Sequence, residues 1–311
     1  MAQPHDSASQ DDLHDIEELP CSVNVYHYSS MDEFCRVISL ERSRFYSSFP
    51  IAQGNYKGRQ DNLIGLLQTE GTQSDHIIFI IHPVAFENDF LDSSTDLPFH
   101  DRISFNPKNH LLVVKMPVSA HEQAATGFND TLKSALQERG IEKTILSWGS
   151  TTLTAEDGTT KEADGGWGPR RPPCGAPKRP SVVLEVVSSE TPAKLRRDAN
   201  YWVDPAKGQA NIAFTAKVHA KIPQITIQQW EWNSEVSRPI RKTDLTITKS
   251  KSDGKVYFIP DQTIPQLLIP FHLLFRQPAD NHRERDIVLG TQDLVEFATL
   301  VWDMQFQNEQ E

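Results

Sequence analysis

The chain is poor in cysteine and has no long apolar run. Its three cysteines, Cys21, Cys35 and Cys174, are odd in number, far apart and without a Cys-x-x-Cys or a nearby paired histidine, which argues against both a disulfide framework and a zinc site. No stretch reaches the roughly 20 apolar residues of a bilayer span. The first residues also lack the basic-then-apolar pattern of a secretory signal. The expected location is therefore intracellular, nuclear or cytoplasmic, with no membrane partner. Gly-x-Gly-x-x-Gly, P-loop, His-Glu-x-x-His and Gly-x-Ser-x-Gly patterns are absent, so dinucleotide, nucleoside-triphosphate, zincin and α/β-hydrolase readings have no support. Basic residues are outnumbered, 31 against 42 acidic ones, for a net charge of −11. That excludes a surface coated in positive potential but leaves room for a local basic groove.

What is there reads as a globular chain of 311 residues with 38% hydrophobic content, enough for one large or two modest domains. Residues 1–20 are acidic and polar and predict a disordered tail. Residues 21–110 read as an N-terminal α+β region, with helical spacing at 31–43 and 61–71 and a buried strand in 76–86 that ends at Pro83. Residues 111–235 carry the most regular pattern: a strand at 111–118, then a helix over 119–140 with Ala120, Ala124, Phe128, Leu132 and Leu136 on one stripe and Gly140 at its C-cap. Strand candidates follow at 143–154, 161–167 and 181–189. Thr191 and Pro192 then open a helix as N-cap and first helical residue, and strands at 211–222 and 224–233 close the region. The strand, helix, strand order after residue 181 predicts a parallel pair, hence a mixed central sheet flanked by helices. Residues 236–311 hold a hairpin turning at Asp253 and Gly254, an apolar segment at 262–275 and a terminal amphipathic helix with Leu294, Phe297, Ala298, Val301 and Trp302 inward.

The residue that needs explaining is Glu185, in the middle of Val-Val-Leu-Glu-Val-Val, apolar on both sides. A buried carboxylate there requires a cation, a metal or several donors. Asp164 on a neighbouring strand would sharpen the problem by repulsion, and a hard divalent ion such as Mg²⁺ or Mn²⁺ would relieve it. From Gly168 to Arg197 the chain also sets seven basic residues against Glu185 and Glu190. Arg170, Arg171, Arg196 and Arg197 are the candidates there for gripping phosphate.

With Asp164 after a strand, a loop, then Val-Val-Leu-Glu-Val-Val-Ser-Ser-Glu running into Ala-Lys-Leu-Arg-Arg-Asp-Ala-Asn-Tyr-Trp, the chain resembles the PD-(D/E)XK nuclease superfamily, in particular its fungal endonuclease-like branch. The resemblance covers roughly residues 111–232. It implies a restriction-endonuclease-like α/β core with N- and C-terminal α+β extensions, and metal-dependent hydrolysis of DNA or RNA. Asp164, Glu185 and the backbone carbonyl of Val186 would hold Mg²⁺ or Mn²⁺. The superfamily's lysine two residues after the Glu is replaced here by Val187. Lys194, from the following helix, is the substitute the resemblance suggests, with Arg197 and Tyr201 spaced to line the site.

Each of these residues also has an ordinary explanation. Glu122 is the helix carboxylate that the resemblance offers as a further metal ligand, and Ser119 and Glu122 also make a capping box, which accounts for it without a metal. Asp164 before two glycines suits a turn. Glu162 shares a strand face with Asp164 as a further ligand, and His121 reads as a packing residue at a helix start. Trp167, Trp202, Trp230 and Trp232 read as core or sheet aromatics. The alternative function is a catalytically inactive nuclease-like domain that binds protein or nucleic acid. The oligomeric state is left open.

Overall fold

The computed structural model describes residues 23–47, 75–91, 101–149, 151–187, 192–260 and 265–306. The expected tail at 1–20, the helix at 61–71 and the Thr191 cap lie outside them. The fold is mixed α/β, with helices against mixed sheets, and the chain divides into two compact units, residues 1–116 and 117–311.

In the first unit β1 (Asn24–His27) runs parallel to β2 (His76–Ile80), while β2 and β3 (Arg102–Asn106) both pair antiparallel with β4 (Leu111–Lys115). Helix α1 (Met31–Ser47) buries Phe34, Val37 and Ile38, the apolar spacing that predicted it. The 76–86 segment is a strand only as far as Ile80. His82 Nδ1 accepts the Val84 N–H at 3.3 Å and Pro83 starts a short helix, α2 (Pro83–Phe86), continued by a π-helical turn, Glu87–Leu91. Proline costs nothing at a first helical position, because that N–H has no intrahelical partner in any case. Strand 111–115, expected to open the second region, belongs to this first unit's sheet.

The second unit opens with α3 (Ser119–Gln137) and a 3₁₀ turn, Glu142–Thr144, followed by β5 (Ile145–Ser147), β6 (Thr152–Thr154), β7 (Thr160–Glu162), β8 (Gly165–Pro169) and β9 (Val182–Val187). Then come α4 (Pro192–Val203), β10 (Ile212–Val218), β11 (Gln224–Asn233), β12 (Arg238–Lys249), β13 (Val256–Ile259), β14 (Leu267–Ile269), α5 (Phe271–Phe275), β15 (Ile287–Leu289) and α6 (Thr291–Gln305). The main sheet has the order β13-β12-β11-β10-β9-β8-β5. Strands β9 and β10 are parallel, joined through α4, as the strand, helix, strand order requires; β8 and β11 flank them antiparallel.

Strand β9 is buried at every position because helices cover both faces. Val182, Leu184 and Val186 join Phe128 and Leu132 of α3 and Phe297 of α6 in one core. Val183 packs with Ala199 and Trp202 of α4 in the other. The α3 stripe and all five residues expected inward on α6 are buried. Gly140, at φ 67°, takes the left-handed turn that ends α3, its N–H donating to the Gln137 carbonyl at 2.8 Å.

Two expected strands are each broken. Residues 143–154 split into β5 and β6, and 161–167 into β7 and β8. Strand β6 pairs with β7 in a hairpin, whereas β5 pairs with β8 in the main sheet. Ala163 and Asp164 form the corner between the two pairings, and that corner positions the site.

Candidate active site: a cluster of carboxylates and amines

The β8–β9 ladder pairs Gly165 with Leu184, and the Asp164 N–H still donates to the Leu184 carbonyl at 3.0 Å. One step further along the same register sets Asp164 opposite Glu185. The two carboxylates predicted to act together are thus brought to adjacent strand positions, and both are buried, at 6% and 4% exposure.

Each is held by its own partners. Asp164 Oδ2 accepts the Val186 N–H at 2.7 Å and lies 3.1 Å from His121 Nε2. Glu185 Oε1 accepts the indole N–H of Trp202 and lies 3.2 Å from the ammonium of Lys161. Lys161, 8% exposed, also reaches Asp198 Oδ1 at 2.6 Å, and Lys194 holds the other oxygen of Asp198 at 2.8 Å. A continuous chain results: Lys194, Asp198, Lys161, Glu185, Trp202. The charge buried in β9 is therefore compensated by a lysine and an indole donor, which satisfies the requirement its apolar surroundings impose.

The structure sets the Lys161 ammonium on Glu185 and the Lys194 ammonium on Asp198. Lys194 sits one helical turn before Asp198 on α4 and bonds to it, while Lys161 reaches in from β7. Asp198 and Thr215 are further members that the sequence does not single out, and His121, expected as a packing residue, is buried beside Asp164. Thr215 pairs in register with Glu185 across the parallel β9–β10 ladder, so the two share a face; it is wholly buried, and its hydroxyl has no hydrogen-bond partner among the described residues.

The other predicted residues fall around this chain. Tyr201 donates its O–H to the Thr159 carbonyl at 3.2 Å and packs edge-on against Trp202, and burial pushes its phenol well above the ordinary range. It walls the cluster from the side of Lys161, whose ammonium lies 6.0 Å from its ring centre. Glu162 accepts the Thr152 hydroxyl at 2.6 Å within the β6–β7 hairpin. Glu122 is about half exposed, with its carboxylate 3.6 Å from His121 Nδ1. The capping box expected from Ser119 and Glu122 does not form: the N-cap is Val118, without a side-chain bond, and Ser119 is already helical. Ser119→Ala should accordingly change unfolding free energy by less than about 0.5 kcal/mol; a loss near 1 kcal/mol would restore the cap.

Of the basic stretch, Arg170, Arg171 and Arg196 are exposed and Arg197 is half-buried. Arg179 is structural, its guanidinium donating to the carbonyls of Lys207 at 2.8 Å and Thr154 at 2.6 Å. Trp167 is core, bonded through its indole N–H to Asn129 Oδ1 at 3.0 Å.

Where the resemblance implies a divalent ion, the structure sets an ammonium beside Glu185. Among the described residues no three His, Cys, Asp or Glu side chains converge as a metal site, and an ammonium already lies on Glu185. The Val186 carbonyl leaves its strand on the same side as the N–H bonded to Asp164, since the two point the same way in a strand.

No family model matches this chain, and no curated protein does. Among solved structures, one from Anabaena variabilis, described as a candidate nuclease belonging to DUF820, aligns over 68% of this chain and 97% of its own, with 11% identity and a TM-score of 0.38. At that score the likeness adds nothing to the strand order and site geometry set out above.

Proposed function

We propose that the second unit is a nuclease-like domain that hydrolyses phosphodiester bonds of DNA or RNA. The observation carrying this reading is two buried carboxylates in one part of the sheet, each beside a basic side chain: Glu185 with the Lys161 ammonium at 3.2 Å, and Asp164 with His121 Nε2 at 3.1 Å. Buried carboxylates beside an amine are the groups needed to take a proton from a water and to stabilise charge on phosphorus. In this reading Glu185 accepts the proton of a water whose oxygen bonds to phosphorus as the P–O bond to the leaving sugar oxygen breaks; Lys161 faces the phosphate charge, the leaving oxygen takes its proton from solvent, and Asp164 is held by the Val186 N–H and His121. Arg170, Arg171 and Arg196, exposed on the segments that follow β8 and β9, would fork onto backbone phosphates. Dependence on Mg²⁺ or Mn²⁺ belongs to the same proposal as a condition to be tested.

A second reading, a catalytically silent domain that binds nucleic acid or protein, is favoured by one observation. The ion pairs of Glu185 and Asp198 close the cluster internally. One experiment separates the two. End-labelled single- and double-stranded DNA and RNA are incubated with the protein in Mg²⁺, Mn²⁺ or chelator, alongside Glu185→Gln. Cleavage that falls by about a thousandfold or more in the variant supports the nuclease. Retention of nucleic acid without cleavage supports the silent domain, and neither cleavage nor retention removes nucleic acid as the partner.

A further inference from the structure

We infer that Lys161 sets the cation affinity of the Glu185 and Asp198 pair: it is a tethered cation that a divalent ion must displace from Glu185. Three observations converge on it. The ammonium lies 3.2 Å from Glu185 Oε1 and 2.6 Å from Asp198 Oδ1, so it bridges two carboxylates as a bound ion would. Asp198 is fixed in turn by Lys194 at 2.8 Å, one helical turn earlier, which anchors the bridge to α4. Beside Glu185, on the same face, the wholly buried Thr215 hydroxyl has no hydrogen-bond partner among the described residues, although buried hydroxyls are nearly always satisfied. It is an oxygen placed for a guest at Glu185 that the lysine, turned toward Asp198, does not serve.

The consequence is electrostatic. Lys161 and a divalent ion repel each other strongly in a buried site and compete for one carboxylate. With the lysine in place the pair is internally compensated and its affinity for Mg²⁺ or Mn²⁺ is low. With the lysine gone the pair loses one positive charge, and a divalent ion beside Glu185 can take its place. Lys161 thus replaces, from the preceding strand, a cation that the fold would otherwise have to recruit.

The test is titration calorimetry with Mn²⁺ on the full chain, wild type against Lys161→Met and Lys161→Arg, with thermal unfolding in the same buffers. Lys161→Met should bind Mn²⁺ at least about tenfold more tightly than wild type, and Mn²⁺ should raise its melting temperature more than that of wild type. Lys161→Arg, which keeps the charge, should bind like wild type. Should Lys161→Met not fold, Lys161→Gln carries the same expectation. Asp198→Asn, which leaves the ammonium to Glu185 alone, carries the opposite one. Equal affinity across the variants, or no binding by any of them, overturns the inference. It rests on the nuclease-like reading of the same cluster, yet the two fail separately. Wild-type cleavage with unaltered affinity in the variants sinks the inference alone. Tighter binding in Lys161→Met with no cleavage by any form sinks the reading alone.

Discussion

Trp202→Ala is expected to lower the free energy of unfolding by about 4 kcal/mol or more, measured by urea denaturation. Trp202 is fully buried, packs with Val183, Ala199 and Ala213 under the sheet, and donates its indole N–H to Glu185. The alanine variant therefore opens a large cavity and removes a donor from a buried charge. Trp202→Phe separates the two contributions: the ring is kept and the N–H is lost, for an expected cost of about 2 kcal/mol. In a Glu185→Gln background the phenylalanine cost should shrink to below about 1 kcal/mol, because the acceptor is no longer charged. A phenylalanine variant as stable as wild type would mean that the indole N–H does not contribute to holding Glu185.

That coupling shows where sequence reasoning succeeded and where it ran out. Glu185 was conspicuous because it interrupts a run of apolar residues too long to be a solvated face, whereas Asp164, which alone suits a turn, stood out only through its spacing from Glu185 in the resemblance. Helices α3 and α6 were legible from their periodicity, α4 from Pro192 at its first position, and the parallel β9–β10 pair from the helix between the strands. Lys161 was not legible. In a stretch read as one strand over 161–167 its direction was fixed by the wrong alternation, since the chain turns a corner at Ala163 and Asp164 and changes sheets there. The same loss hid the splitting of 143–154. Ser119 misled in the other direction: its spacing from Glu122 fits a capping box, yet the helix starts one residue earlier than that motif needs. Asp198 carried a faint signal, being four residues after Lys194 on a helix, but nothing local says that it also reaches a strand lysine.

Gly208→Ala is expected to cost about 3 kcal/mol or more, again by urea denaturation, and to disturb the cluster at a distance. A Cβ at Gly208 would lie 2.5 Å from the Trp202 Cα, 2.5 Å from its carbonyl oxygen and 2.8 Å from its carbonyl carbon. All three are backbone atoms, so no rotamer change relieves the clash. The Gly208 N–H donates to the Tyr201 carbonyl at 3.0 Å, and the Ala210 N–H to the Trp202 carbonyl at 2.8 Å. Any shift of this turn therefore pulls on the end of α4 that carries Trp202 and Tyr201. Gly175→Ala is the control: the site is open, and only the positive φ of 81° is strained, for about 1 kcal/mol. Equal costs at the two positions would show that the close approach at Gly208 is relieved elsewhere.

The corner at Ala163 and Asp164 also separates the origins of two neighbouring charges. Lys161 belongs to the β6–β7 hairpin ahead of the corner, whereas Glu185 belongs to the main sheet beyond it, so their 3.2 Å contact joins two pieces of sheet that share no ladder. The ion pair is thus a strut across a bend, and the length of the linker through residues 163 and 164 sets whether it can close.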